Sequence, residues 1–262
     1  ARAFLNPDTS SIASKHAFAV YKIVTQSAGA SMIEVPTCNW GHDLKSFADH
    51  LEKNTRVIFI ANPNNPTGTY NSHDEVYSLL KKVPSSVLVV LDCAYFEYVT
   101  KEDYVKPIDL LSEFDNLLIT KTFSKIHGLA SIRVGYGIAH PTLIEVFNRI
   151  RQPFNVNTLA QAMAEVAIND HEHIHQSIEL NSQQYDFLFD QLSKLGLECI
   201  PSVGNFITFK GNFIGKEMFN NLMKKGVIVR SVDLYDMKDF IRVTIGTEAE
   251  NLKFLNALKE LL

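Results

Sequence analysis

The run SSVLVVLDCAYFEY, residues 85–98, holds five consecutive aliphatic residues, Val87 to Leu91, followed directly by Asp92. Unbroken aliphatic character, rather than alternation, marks a strand covered on both faces, and such strands belong to parallel sheets packed between helices. RVIFIANP (56–63) and NLLITKTFS (116–124) repeat the layout, each an apolar run with polar chemistry at its carboxyl end. Pro63 stops the first of these, and the NNPTG that follows is loop material. In open α/β sheets ligands bind beyond the carboxyl ends of the strands, so Asn65, Asp92 and Lys125 are expected to share one pocket.

Outward from these strands, Ser11 to Ala13 reads as a short strand, Phe18 to Ala28 as a helix, Ser31 to Val35 as a strand, and Leu44 to Glu52 and Asp74 to Lys82 as helices. This alternation predicts βαβ units and a largely parallel sheet. Leu159 to Leu195 contains no proline or glycine and is expected to be one long helix leading out of the first domain. After Gly196, the strand-like runs LECI, NFITFK, GVIVR and FIRVTIG interleave with helical segments Gly215 to Lys225 and Glu248 to Leu262. The expected organisation is a large domain over 1–157, a connecting helix over 158–195 and a small α/β domain over 196–262.

Lys plus Arg number 25 against 29 Asp plus Glu, a net charge of -4, so long-range attraction to nucleic acid or anionic membrane is not expected. Any bound anion needs a local pocket. Cys38, Cys93 and Cys199 are widely spaced with no CxxC pair, which fits a reducing cytoplasm. Val87 to Leu91, the longest aliphatic run, falls far short of the ~20 apolar residues of a membrane helix. The first residues show no basic leader followed by an apolar stretch. His171 and His175 lie four apart on a helical pattern, but without a third ligand they are expected to be exposed histidines rather than a metal site.

In TKTFSKIHGLASIRVGYGIA (120–139), Lys125 follows Ser124 and precedes Arg133 by eight positions. A lysine among Ser, Thr, Gly and apolar residues can be partly desolvated, leaving its amine available to condense with an aldehyde. Together with ANPNNPTG (61–68) and LDCAYFEY (91–98), the segment TFSKIHGLASIRVGYG (122–137) resembles the ordered signatures of fold-type I pyridoxal-phosphate aminotransferases. RQPFNVN (151–157), Arg230 of GVIVR and Arg242 of IRVTIG narrow the resemblance to histidinol-phosphate aminotransferases.

That resemblance implies an α/β fold of transferase type I, with a mostly parallel mixed sheet flanked by helices and a smaller C-terminal α/β domain. The implied cofactor is pyridoxal 5'-phosphate (PLP), bonded to Lys125, which also moves the substrate proton. Asp92 would face the pyridine nitrogen, Asn65 and Tyr95 the phenolic oxygen, and Phe18 the ring face. Arg133, Ser124 and Thr122 would take the cofactor phosphate, Arg242 a substrate carboxylate and Arg230 a substrate phosphate. The implied reaction moves an amino group between histidinol phosphate and 2-oxoglutarate, giving imidazole-acetol phosphate and glutamate in histidine biosynthesis, in a homodimer.

Other aminotransferases of aromatic or other amino acids share most of this set, although Arg230 tilts against them. A threonine-phosphate decarboxylase would use both arginines. A non-catalytic PLP-binding regulatory module would keep Lys125, Asp92 and Arg133, but no basic helix-turn-helix segment accompanies them. The resemblance also implies a glycine-rich loop opening a helix ahead of these motifs, and none precedes residue 11. The expectation is a chain that starts inside the large domain, without roughly the first quarter to third of a family member. That would remove a phosphate cradle and a tyrosine lent across the dimer, and it puts activity of this span in question. Ser131 stands where the family more often has glycine, and it fits if the backbone there needs no positive φ.

Overall fold

The aliphatic runs are the inner strands of a six-stranded sheet in a computed structural model that describes residues 1–262. In chain order the strands are β1 (Ser10–Ser14), β2 (Ser31–Val35), a small hairpin of β3 (Thr37–Cys38) and β4 (Gly41–His42), then β5 (Thr55–Ala61), β6 (Leu88–Asp92), β7 (Leu117–Thr122) and β8 (Gly135–Ala139). The sheet order is β2-β1-β5-β6-β7-β8, parallel throughout except that β8 runs against β7. The chain crosses from one side of β1 to the other between β2 and β5. The carboxyl ends of β1 and β5 therefore flank a topological switch point, where a crevice opens.

Side chains alternate across this sheet as strand geometry requires. Ile58, Ile60, Val89, Leu91, Leu117 and Ile119 pack with Phe47 and Leu79 on one face, while Val57, Phe59, Leu88 and Val90 pack with Ala13 and Tyr21 on the other. Each such fully buried aliphatic side chain contributes about 1.5–3 kcal/mol. Helix α1 (Val20–Ser27) covers the second face; α2 (Leu44–Phe47), α3 (His73–Leu80) and α4 (Pro107–Leu110) cover the first. Ser72 and Glu75 form a reciprocal capping box that starts α3. Helix α5 (Pro141–Ile150) follows β8.

Two helices differ from expectation. The segment from Leu44 is α-helical only to Phe47 and tightens into a 3-10 turn over Ala48–His50. The single helix expected from Leu159 to Leu195 is two, α6 (Thr158–Ala167) and α7 (His171–Lys194). The break needs no proline or glycine, because the Asp170 side chain leaves the helix to accept the His173 amide at 3.1 Å. Aspartate favours such caps over helix interiors.

Leu188 and Leu192 of α7 enter a second core with Ile207, Phe209, Ile241 and Leu258. That core lies under a four-stranded antiparallel sheet of β9 (Glu198–Ile200), β10 (Phe206–Lys210), β11 (Arg230–Ser231) and β12 (Phe240–Thr244), in the order β11-β12-β10-β9. Helices α8 (Gly215–Lys224) and α9 (Glu248–Lys259) pack on it. Of GVIVR only Arg230 joins the sheet, paired opposite Arg242.

The two sheets meet at the NNPTG loop. The Thr208 hydroxyl donates to the Pro66 carbonyl, and the Val203 amide donates to the Gly68 carbonyl at 2.9 Å. Gly68 has φ +78°, and a Cβ there would lie 2.1 Å from Ser202 Oγ, so no other residue fits the joint. Trp40 packs edge-on against Phe240 with ring centroids 4.9 Å apart.

His42 stitches the floor of the crevice. Its Nδ1 accepts from the Ser14 hydroxyl at 2.7 Å, and its Nε2 donates to the Ala61 carbonyl at 2.8 Å, joining the ends of β1 and β5. Burial pulls its pKa down from 6.5 to about 4. The unfolded chain therefore takes up this proton first as pH falls, and stability is lost between pH 6.5 and about 4. The full cost is about 3 kcal/mol. Urea unfolding compared at neutral and mildly acidic pH should show a smaller loss in His42→Gln than in the unmodified chain. Equal losses would show that other groups carry the acid sensitivity.

Candidate active site

Beyond the carboxyl ends of β5, β6 and β7 lies a cleft of about 620 Å³, and every candidate cofactor- or substrate-binding residue lines it. The exit of β5 brings Asn65, and that of β6 brings Asp92 and Tyr95. The end of β7 and the loop after it bring Thr122, Ser124, Lys125 and Arg133, and the exit of β1 leads to Phe18. Arg230 and Arg242 reach in from the smaller sheet.

Asp92 sits recessed at the floor. Its Oδ2 accepts from the Tyr21 hydroxyl at 2.8 Å and its Oδ1 from the Ala94 amide at 3.2 Å. Desolvation pushes its carboxyl above the usual aspartate range, against the pull of Tyr21, the Ala94 amide, Thr120 and the Lys125 ammonium. Tyr21 is buried and stacks on Phe59 at 4.8 Å; burial and the neighbouring Asp92 raise its hydroxyl well above the ordinary range, so it remains a donor. Across the cleft, Lys125 is half-buried with its Nζ 5.0 Å from the centroid of the Tyr95 ring. Tyr95 in turn packs edge-on against Phe206 at 5.2 Å.

The two asparagines of the loop divide their tasks. Asn64 holds the turn, donating to the His16 carbonyl at 2.9 Å and to the Thr67 hydroxyl at 2.8 Å. Asn65 turns to the cleft, where its Oδ1 accepts from the Arg242 guanidinium, leaving its amide NH₂ group available for a ligand. Arg242 lies 4.8 Å over the Phe206 ring, and its Nε is a buried donor without a partner. Burial lowers the guanidinium pKa; Tyr95 and Tyr235 oppose the shift and Arg230 adds to it.

The lining carries Lys125, Arg133, Arg230 and Arg242 against the single carboxylate of Asp92. Lys121 also borders the cleft but is neutralised by Glu97 at 2.6 Å. Arg133 adopts φ +58°, a left-handed conformation that costs a non-glycine residue roughly 1–2 kcal/mol, and its guanidinium donates to the Ala130 carbonyl at 2.6 Å. The positive φ falls at Arg133 and not at Ser131, so serine is compatible there. Ser124 donates its amide to the Thr122 hydroxyl at 3.1 Å, and both residues line the cleft together with Arg133. A guanidinium with flanking hydroxyls is a set that can take an oxyanion.

Two aromatic lining residues, Tyr21 and Tyr235, escaped the sequence reading. Tyr21 falls three positions after Phe18, within the helix expected over Phe18 to Ala28, and this spacing was the available signal. Tyr235 lines the cleft from a single 3-10 turn, Asp233–Tyr235, and has no such signal. His171 and His175 lie exposed on α7, with His175 Nε2 3.2 Å from Glu179; His173 is turned instead to the Ile126 carbonyl. No cluster of three or more His, Cys, Asp or Glu side chains could hold a metal ion, and no helix is long and apolar enough to cross a membrane.

The model of the family "Aminotransferase class I and II" matches residues 1–258. A histidinol-phosphate aminotransferase of Methylobacillus flagellatus is 49% identical over 262 residues, covering 100% of this chain and 71% of the relative. One from Caldicellulosiruptor saccharolyticus is 46% identical over 259 residues, covering 99% of this chain and 72% of the relative. Among solved structures, the histidinol-phosphate aminotransferase of Sinorhizobium meliloti in complex with pyridoxal-5'-phosphate superposes with a TM-score of 0.91 at 23% identity, over 100% of this chain and 73% of that one. With that match across nearly its whole length, and an α/β fold shared with these structures, the chain belongs to the class I and II aminotransferase family.

Proposed function

We propose that this chain is a PLP-dependent aminotransferase that exchanges an amino group between histidinol phosphate and 2-oxoglutarate in histidine biosynthesis. The observation that carries the reading is the cross-strand pair of Arg230 and Arg242, opposite each other in register and free of any carboxylate, on the same cleft as Lys125 and Asp92. Like charges directly opposite on a sheet are unfavourable, and a strongly anionic ligand would relieve them. Histidinol phosphate carries a phosphate where an amino acid carries its carboxylate, so both guanidiniums can share one dianion. Glutamate, with two carboxylates, can engage them separately.

The cleft suits PLP in size and in donor chemistry. Desolvation at Asp92 disfavours an unaccompanied carboxylate, and a pyridinium N–H supplies the missing counter-charge. Arg133, Ser124 and Thr122 are the candidates for the cofactor phosphate, Asn65 and Tyr95 for its phenolic oxygen, and Phe18 for its ring face. When bound, the cofactor supplies an electron sink for the pair left at the substrate Cα. Lys125 would hold it covalently in the absence of substrate, and its Nζ, freed when the substrate amine takes its place, would take and return the Cα proton. Arg242 and Arg230 orient the substrate, and Tyr21 keeps Asp92 aligned. On this reading residues 1–157 bind the cofactor, 196–262 recognise the substrate and 158–195 join them.

The same reading makes the protein a cytoplasmic homodimer. Supporting the dimer, Leu159, Met163 and Val166 share one exposed face of α6, and Phe154 beside them is 97% exposed. Supporting the compartment, Cys38, Cys93 and Cys199 are all free thiols.

Mixed with PLP, the protein should show a visible absorbance band that borohydride abolishes irreversibly, with the reduced adduct mapping to Lys125; Lys125→Ala should show neither. A band retained in that variant would sink the assignment of the lysine. In single-turnover assays Arg230→Ala should weaken histidinol phosphate by at least about tenfold while changing phenylalanine less than threefold. Equal weakening of both would refute a phosphate-recognising role. Light scattering should give a dimer mass, and Leu159→Glu combined with Val166→Glu should shift it toward the monomer; an unchanged dimer would mean the interface lies elsewhere.

A further inference from the structure

Two histidines outside the cleft hold the two residues that follow Lys125. His173, near the start of α7, donates from Nε2 to the Ile126 carbonyl at 2.8 Å. His127 donates from Nδ1 to the Ala167 carbonyl, at the end of α6, at 3.2 Å. A carbonyl can only accept, so each ring nitrogen must carry the hydrogen, and both bonds persist whether the rings are neutral or charged. His127 is buried, with its ring 4.8 Å from that of Phe123, and Ile126 is buried beside it.

The bonds come from opposite sides of the break between α6 and α7, and the break is what makes them possible. In an unbroken helix the Ala167 carbonyl would accept the amide of residue 171. Here the His171 amide bonds to the Asn169 carbonyl instead, at 3.0 Å, so the Ala167 carbonyl accepts the Asp170 amide at 3.3 Å and keeps a second acceptor site for His127. The Asp170 cap fixes the backbone of His173 and so aims its ring at Ile126. From this elbow α7 runs on to bury Leu188 and Leu192 under the sheet that bears Arg230 and Arg242. One helix therefore touches both the lysine loop and the core that carries the two arginines.

We propose that the α6–α7 elbow is the seat of the Lys125 loop, with His173 and His127 as positioning residues that set Lys125 relative to Arg230 and Arg242. The catalytic consequence rests on the aminotransferase reading, whereas the seating itself does not. His173 is exposed, so its replacement leaves the fold intact. His173→Leu removes the donor; His173→Gln restores an N–H of similar reach.

Hydrogen exchange without cofactor is the first measurement, because the Gly128 and Leu129 amides bond within the loop, to Lys125 and Phe123. In His173→Leu these two amides should exchange about fivefold faster, the effect of one hydrogen bond, with the 206–210 strand unchanged. His173→Gln should stay within twofold of the unmodified chain. With PLP and histidinol phosphate, single-turnover rates should fall about fivefold in His173→Leu, with half-saturation within twofold, and recover in His173→Gln. Unchanged exchange in the leucine variant, or equal change in both variants, would overturn the proposal. Exchange that follows expectation while even the unmodified chain fails to transaminate would leave the seat standing and remove the aminotransferase reading instead.

Discussion

The Arg242 guanidinium reaching from the smaller sheet to Asn65, in the loop after β5, is the constraint on which the cleft depends. The cleft has walls from both sheets, so it exists only while the two are held in one relation. Three further contacts converge on the same five-residue loop: Thr208 on Pro66, Val203 on Gly68, and Ser202 against the space where a Gly68 side chain would be. Arg242 is half-buried among aromatic rings and keeps an unpartnered Nε, an arrangement that costs stability. The joint tolerates it because the Asn64 side chain and the loop's own backbone bonds already hold the turn.

Charge is organised locally against the average. The chain is acidic overall, with a net charge of -4, yet the cleft lining is dominated by cations. Walls of low dielectric strengthen such a field, which raises the encounter rate of an anionic ligand. Lys121 marks the boundary of this field. Its ammonium sits 4.1 Å over Phe96 and is paired with Glu97, so it adds nothing to the positive side.

The inner sheet was legible because an unbroken run such as Val87 to Leu91 has one stable use, a strand covered on both faces. The shared pocket followed from it, since polar residues just past three such strands must converge where the strands end, and Asn65, Asp92 and Lys125 do. The break at Asn169 and Asp170 was not legible. It is made by a side-chain cap rather than by a residue that cannot be helical, and whether an aspartate caps or faces solvent depends on tertiary surroundings. GVIVR looked like a strand by β-branched content, but only its last residue finds a partner, beside a short edge. Tyr235 comes from a short 3-10 turn that packs with Trp40 and Phe240 and carries no local pattern to announce it.

Asp92 and the arginines share one cavity without neutralising each other, and the topology enforces their separation. Asp92 is anchored at the end of a central parallel strand by Tyr21, itself stacked on Phe59, whereas Arg230 and Arg242 belong to an antiparallel pair in the other sheet. A rigid carboxylate without a direct salt bridge on one side and guanidiniums without one on the other select for a ligand system with both signs of charge at a fixed spacing. A purely anionic molecule would leave the desolvated carboxylate at Asp92 unanswered, and a purely cationic one would be repelled by the arginines. Desolvation at Asp92 and Arg242 therefore works as a filter: it makes these two groups expensive when unpaired, so that occupancy by a molecule with the complementary pattern recovers the most free energy.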